Sequence, residues 1–368
     1  MPTTVLRPGR TSRAPLTALR EGAVKLAELV ATPLVPADYL DMVSPLRASA
    51  DLCGRIVEVR RETADAATVV LEPSGAWRGH EPGQYVRIGV DVDGVRLWRA
   101  YSLTSPADAR DGRIKITVKA IPDGVVSNHL VRHARPGTIV QLDQAQGDFT
   151  LRGTAPAKAL FVTAGSGITP VMGMLRSHGA RLEDVVLVHS APTPRDVIFG
   201  AELRGLASTG RIRLVEQHTD SGGMLDAAGL AELVPDLAER ETWACGPAGM
   251  LDAIEQHFAD HGFPERLHTE RFRAAVTVAG DGGTVTFSGA STTVEADGAS
   301  TLLDVGEAAG VLMPSGCRMG ICFGCVAPLR EGTVRDLRTG ELTTAAPGDD
   351  VRIQTCISAA AGACDIDL

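Results

Sequence analysis

The sequence predicts a multi-domain α/β plus β protein. An N-terminal helical extension would precede an antiparallel β-barrel, a doubly wound parallel α/β domain and a small mixed domain. Three observations predict this. Short alternating apolar–polar runs, separated by Gly/Pro/Asp turns, fill residues 49–153 and imply a small barrel or sandwich. Residues 154–274 change to buried apolar strands alternating with helices, the pattern of a parallel sheet. Beyond a linker at 275–283, residues 284–368 are organised around four cysteines, Cys317-x4-Cys322-x2-Cys325 and, after a 30-residue gap, Cys356. A chain of 368 residues is long enough for about two to three cores.

Each element has its own reason. In residues 1–48, Leu16, Leu19, Val24, Leu26, Leu29 and Val30 fall on one helical face, and Pro33 and Pro36 stop the helix. Such a helix packs on its own protein or lies against a membrane-bound partner. Barrel strands are expected at Arg55–Arg60, Thr68–Leu71, Gln84–Val90, Arg113–Lys119 and Thr138–Leu142, with a further alternating strand through Arg99–Ser102. Parallel strands are expected at Ala159–Thr163, Val185–His189, Arg211–His218 and Thr242–Ala244, with a helix from about Pro170.

The net charge of −9 argues against a nucleic-acid partner. No apolar run approaches the roughly 18 residues of a membrane span. Seven cysteines, an odd number, and no secretory signal argue against disulfides, so a soluble cytoplasmic protein is expected, with peripheral membrane contact through the extension as the alternative. The histidines share no metal-ligand spacing, and there is no nucleophile elbow or Walker loop.

Three constellations carry chemistry. The cysteine spacing is that of a plant-type [2Fe–2S] cluster, with Cys317, Cys322, Cys325 and Cys356 as thiolate ligands. A structural zinc site, the alternative, usually pairs its cysteines in two knuckles. Gly320 and Gly324 would let loop N–H groups approach the sulfurs. From Ala275 onward, twelve acidic residues stand against five arginines and no lysine, giving −7. That face is either simply solvated or steers the domain toward a basic patch on an electron acceptor.

The second constellation pairs Arg99-Ala-Tyr101-Ser102 with Gly124-Val125-Val126-Ser127, a turn entering a helix. A helix N-terminus and an Arg fork suit a phosphate; a Tyr face and a Ser hydroxyl suit an aromatic ring with a nitrogen edge. Together they describe a flavin cradle. The third is Gly165-Ser166-Gly167-Ile168-Thr169-Pro170 after one strand and Cys245-Gly246-Pro247 after another. Both fall at carboxyl ends of parallel strands, where such sheets bind dinucleotides.

In this order the motifs resemble the ferredoxin–NADP reductase superfamily, over roughly residues 50–368. The resemblance implies a C-terminal β-grasp ferredoxin domain. It places Arg99 at the flavin pyrophosphate, Tyr101 and Ser102 at the isoalloxazine with Leu103 beside them, and Lys119 near the ring. Gly124, Val125, Val126 and Ser127 go to the phosphate. Gly165, Gly167, Ile168, Thr169, Cys245, Gly246 and Pro247 go to the nicotinamide nucleotide, and Phe272 of Glu270-Arg271-Phe272 covers the flavin face. Ser102, Thr169, Cys245 and Phe272 would flank the reacting atoms. Arg195 and the lack of an acidic residue at the end of the His189 strand favour NADPH over NADH. A phosphate loop poorer in glycine than that of FMN-binding members favours FAD over FMN. The implied activity is electron transfer from NAD(P)H through flavin and [2Fe–2S] cluster to an acceptor. The resemblance is strongest to reductases serving a membrane acyl-CoA (stearoyl-CoA) desaturase. The alternatives are the reductase component of a ring-hydroxylating or other oxygenase system and, from another class, a redox-sensing binding protein.

Overall fold

The computed structural model describes Leu46 and residues 52–368, apart from 123, 152–154, 273–277, 317, 319, 321 and 322. The helix expected near the N-terminus lies outside the described residues.

The first domain is a six-stranded antiparallel sheet of β1 (Cys53–Arg61), β2 (Ala66–Pro73), β3 (Tyr85–Val92), β4 (Val95–Ser102), β5 (Ile114–Lys119) and β6 (Ile139–Leu142). The spatial order β4-β3-β6-β1-β2-β5 closes on itself through a bridge between Leu103 and Ile116, so the expected barrel forms. Its interior is built from Ile56, Val69, Leu71, Val86, Ile88, Ile116 and Val118. Helix α1 (Val125–Arg132) adds Val126, Leu130 and Val131 to the same core.

The second domain is an all-parallel sheet, ordered β11-β10-β7-β8-β9. Its strands are β7 (Lys158–Ala164), β8 (Asp184–Ala191), β9 (Arg213–His218), β10 (Glu241–Cys245) and β11 (Leu267–Glu270). Alternate strand residues feed opposite faces, as the pleat requires. Phe161 and Leu187 pack with α2 (Ile168–His178) and α3 (Gly200–Ser208), while Leu160, Val162, Val186 and Val188 pack with α4 (Ala227–Leu233) and α5 (Ala248–Asp260). Strand β11 was not expected: Leu-His-Thr-Glu at a half-buried sheet edge has too little apolar content to read as a strand.

The third domain is a mixed sheet ordered β13-β12-β17-β14-β15, with β16 also on β14. The ranges are β12 (Gly283–Phe287), β13 (Thr292–Ala296), β14 (Val326–Asp336), β15 (Leu342–Ala345), β16 (Val351–Gln354) and β17 (Ser358–Ile366). Strands β12 and β17 run parallel, the remaining pairs antiparallel. Helix α6 (Leu302–Ala308) is capped by Thr301, whose hydroxyl accepts from the Asp304 N–H at 3.1 Å, and it buries Leu302 and Leu303 against Val285, Phe287 and Ile366. Among the described residues no helix is long and apolar enough to cross a membrane.

Candidate functional site

The flavin candidates sit where β4 leaves the barrel. Pairing with β3 sets Arg99 opposite Ile88, Tyr101 opposite Val86 and Ser102 opposite Tyr85. Ser102 is buried, and among the described residues its hydroxyl has no hydrogen-bond partner. A sealed, unpaired hydroxyl is costly unless something else completes it, which fits a ring-nitrogen partner. Burial raises the Tyr101 phenol above its ordinary range, so it stays protonated at neutral pH. Burial, then the neighbouring Arg318, lower the affinity of the Arg99 guanidinium for its proton, against the pull of Glu307. A partly buried cation of this kind seeks an anion.

The predicted phosphate helix forms as α1, with Gly124 at its N-cap. It has no side-chain cap and no acidic residue in its first turn, leaving its positive end available to a phosphate. Val125 is exposed there and Val126 is buried. Ser127 is committed elsewhere: its hydroxyl donates to the Gly124 carbonyl at 3.1 Å and accepts from the Ile121 N–H at 3.3 Å. Its side chain shapes the turn. Lys119, at the end of β5, is paired with Asp65 at 2.5 Å, so its ammonium is held at the barrel's β1–β2 turn.

The two nicotinamide motifs meet. Residues Gly165–Gly167 form a short 3-10 turn leading into α2, and a Cβ on Gly167 would stand 2.0 Å from the carbonyl oxygen of Cys245. Only glycine permits that approach. Thr169 is buried and donates to the Ser166 carbonyl at 2.9 Å; Ile168 is fully buried. Gly246 and Pro247 carry the chain from β10 into α5. Cys245 is fully buried; burial, then Glu270, push its thiol well above its ordinary value, so the thiol stays neutral. Phe272 packs, partly buried, on the apolar cluster that contains Cys245.

A second close approach joins flavin and nicotinamide elements. A Cβ on Gly173 of α2 would lie 2.4 Å from the carbonyl oxygen of Leu103. The helix opened by the Gly-Ser-Gly turn therefore rests on the residue after Ser102. Arg195 lies just past β8, exposed, and among the described residues its guanidinium has no partner. That suits a 2′-phosphate.

Two groups escaped the sequence reading. Glu270 sits beside Cys245 in the β10–β11 register; its Oε2 is buried with no partner among the described residues, and burial pushes its carboxyl up to about 8. The signal was an acidic residue directly before the Arg271-Phe272 pair. His189, on β8, bonds Thr163 Oγ1 through Nδ1 at 2.8 Å, and burial holds its imidazole down to about 4. Both put proton-holding atoms near the carboxyl edge of the parallel sheet.

In the third domain, Cys317 and Cys322 lie outside the described residues. Cys325 and Cys356 are both buried. Pairing of Val326 with Gln354 brings their flanks together, and Thr355 donates to the Cys325 carbonyl from both its N–H and its hydroxyl, at 3.2 and 3.0 Å. The long gap to the fourth cysteine is thus closed by the pairing of β14 with β16. Of the nearby loop residues, Arg318, Gly320 and Phe323 have positive φ.

Comparisons with known proteins agree with this geometry. The family of oxidoreductase FAD-binding domains matches residues 55–151, that of oxidoreductase NAD-binding domains residues 161–256, and that of 2Fe-2S iron-sulfur cluster binding domains residues 285–361. The chain is 50% identical over 351 residues to an NADPH oxidoreductase of Mycobacterium tuberculosis, covering 94% of this chain and 91% of that protein. It is 30% identical to the glycine betaine monooxygenase reductase subunit of Chromohalobacter salexigens, covering 82% of this chain and 91% of that one. Among solved structures, phthalate dioxygenase reductase superposes with a TM-score of 0.61 at 24% identity, covering 87% of this chain and 98% of the other.

Proposed function

The chain belongs to the ferredoxin reductase-type family that joins FAD-binding, NAD-binding and [2Fe–2S] domains, and from that premise we propose that it is the NADPH-dependent reductase component of an oxygenase system. Bound in their domains, the flavin and cluster would supply the conversion of a two-electron hydride donor into single electrons. The chain's own part is placement. Arg99 and the α1 N-terminus would hold the flavin diphosphate, the Ser102 hydroxyl the ring edge, and the Gly167–Cys245 seam the nicotinamide. Phe272 and buried Cys245 would keep water out, while Glu270 Oε2 can hold a proton to above neutral pH.

The observation that carries the reading is the seam itself. Ser102 and Leu103 end the flavin strand against the helix that starts with the nucleotide turn, in a chain that also carries the four-cysteine pattern. Arg195, exposed and unpaired among the described residues, supports NADPH, as does the 50%-identical relative being an NADPH oxidoreductase.

The sequence favoured a membrane desaturase as acceptor. The relatives support the oxygenase alternative better, since one is named a monooxygenase reductase subunit and the name of the other specifies no acceptor. The test is reconstitution with NADPH and a purified monooxygenase, or separately a membrane desaturase, scoring hydroxylated or unsaturated product. NADPH-driven hydroxylation is expected. Product only with the desaturase would replace the oxygenase assignment, and NADH outperforming NADPH would remove the role given to Arg195.

A further inference from the structure

We infer that Glu307 is the latch that seats the iron–sulfur module on the flavin module, by sharing its carboxylate between Arg99 and Arg318. Arg99 belongs to β4 of the barrel, and Arg318 follows Cys317 in the cluster loop. Glu307, near the end of α6, places Oε1 at 4.0 Å from Arg99 Nη2 and forms a short ion pair with Arg318. Arg318 also pairs with Asp304 at 2.9 Å. A second link crosses the junction: Arg99 Nη1 approaches the Ser315 hydroxyl at 3.5 Å. Ser315 and Arg318 flank the first predicted cluster ligand, so the contact falls on the loop that would carry the iron.

The charge arrangement makes Glu307 decisive. All three side chains are mostly shielded, with exposures of 22%, 31% and 23% for Arg99, Glu307 and Arg318. Without the carboxylate two guanidiniums would face each other across the module boundary, turning an attraction into a repulsion. Arg318 holds a positive φ of 60° that a non-glycine residue does not favour, and its two acidic partners keep it there. Arg99 has donors enough for both duties, because a guanidinium offers five N–H groups in a fixed fork. On the flavin reading of Arg99 made above, one side chain would then grip the flavin diphosphate and set the position of the cluster loop. Glu307 is thus a positioning residue for electron transfer between modules.

The test uses the full-length protein with Glu307→Gln, Glu307→Lys and, as control, Asp304→Asn. Asp304 pairs with Arg318 within its own module, so its loss disturbs the loop without unlatching it. Small-angle scattering in solution reads the junction directly. Both Glu307 variants should give a larger radius of gyration than wild type, with Lys larger than Gln and Asp304→Asn unchanged. Stopped-flow absorbance should show flavin-to-cluster transfer slowed about tenfold in Glu307→Gln, with ferricyanide reduction preserved. Should Glu307→Lys fail to fold, the Gln variant still decides. Unchanged scattering and transfer in Glu307→Gln, or the same losses in Asp304→Asn, would overturn the latch. A wild-type protein lacking flavin or iron would instead defeat the proposed function, while scattering would still judge the latch.

Discussion

The chain has two inter-module junctions built on opposite principles. Between the barrel and the nicotinamide domain the core is shared: Ala66, Phe149 and Leu151 enter the same apolar cluster as Phe161, Met172 and Trp243. Polar clamps reinforce it. Arg176 donates to the Thr104 carbonyl at 2.6 Å, and the Trp243 indole to the Thr150 carbonyl at 3.4 Å. Between the barrel and the cluster module the contacts described are polar, from Arg99 to Ser315 and Glu307. The apolar cluster of that module draws only on residues Val285 to Ile366, with Leu368 at its margin. An apolar seam fixes two bodies; a small polar one leaves relative motion as the default. The difference matches the chemistry each junction would serve. Hydride transfer demands reacting atoms held in near-attack geometry. A module that must also meet an outside acceptor gains from being separable.

The sharpest way to separate the two junctions is to remove the chemistry on one side. Cys322→Ser should lower NADPH-driven cytochrome c reduction on the order of a hundredfold while leaving ferricyanide reduction within about twofold. Parallel loss of both rates would mean that the cluster is not simply downstream of the flavin. It would also mean that the two junctions are not functionally independent.

Damage to the apolar seam should behave differently. Gly173→Ala drives a methyl to 2.4 Å from the Leu103 carbonyl oxygen, a backbone atom that cannot yield cheaply. The expected cost is about 2–3 kcal/mol in thermal or denaturant unfolding. Flavin reduction by NADPH should slow, with electron passage from a pre-reduced flavin to the cluster spared. An unchanged melting point would show that the seam relaxes and is not the rigid joint argued above.

Sequence patterns exposed the rigid parts better than the adjustable ones. The barrel strands, the parallel strands β7 to β10 and the nucleotide turn were legible because apolar periodicity and glycine placement answer to local physics. Strand β11 was not, since its identity comes from pairing with β10 rather than from its own residues. Ser127 and Lys119 were read through the resemblance as phosphate and ring contacts, yet the hydroxyl closes its own turn and the ammonium meets Asp65. The Ile121 and Asp65 partners lie outside the motifs, on the preceding turn and on a distant one, where neither motif encodes them. Glu270 stood in a segment singled out for its aromatic neighbour; its importance comes from burial, which no local pattern reveals. Glu307 reads from sequence as one more acid on an acidic module, and only the fold brings it to Arg99.

The smallest expected effect tests how dry the rigid seam is. Glu270 is half-buried overall, but its Oε2 is sealed without a partner, and its carboxyl is pushed up to about 8 from an ordinary value of 4.5. The folded protein therefore holds a proton that the unfolded chain has released between those two values. Stability falls as pH rises through that window and levels off above about 8. Glu270→Gln removes the titration while keeping a neutral side chain of the same shape. The variant should match wild type in melting temperature near pH 4.5, gain on it as pH rises, and stay ahead above pH 8. Partial access of water to the residue keeps the gain to about 1 kcal/mol, or roughly 1–2 °C for a chain of this size. The same gain should persist in Glu307→Gln, because the latch lies on the other junction. A difference that does not vary with pH would mean that the seam admits enough water to hydrate the carboxylate, and that it is less unlike the polar junction than its apolar lining suggests.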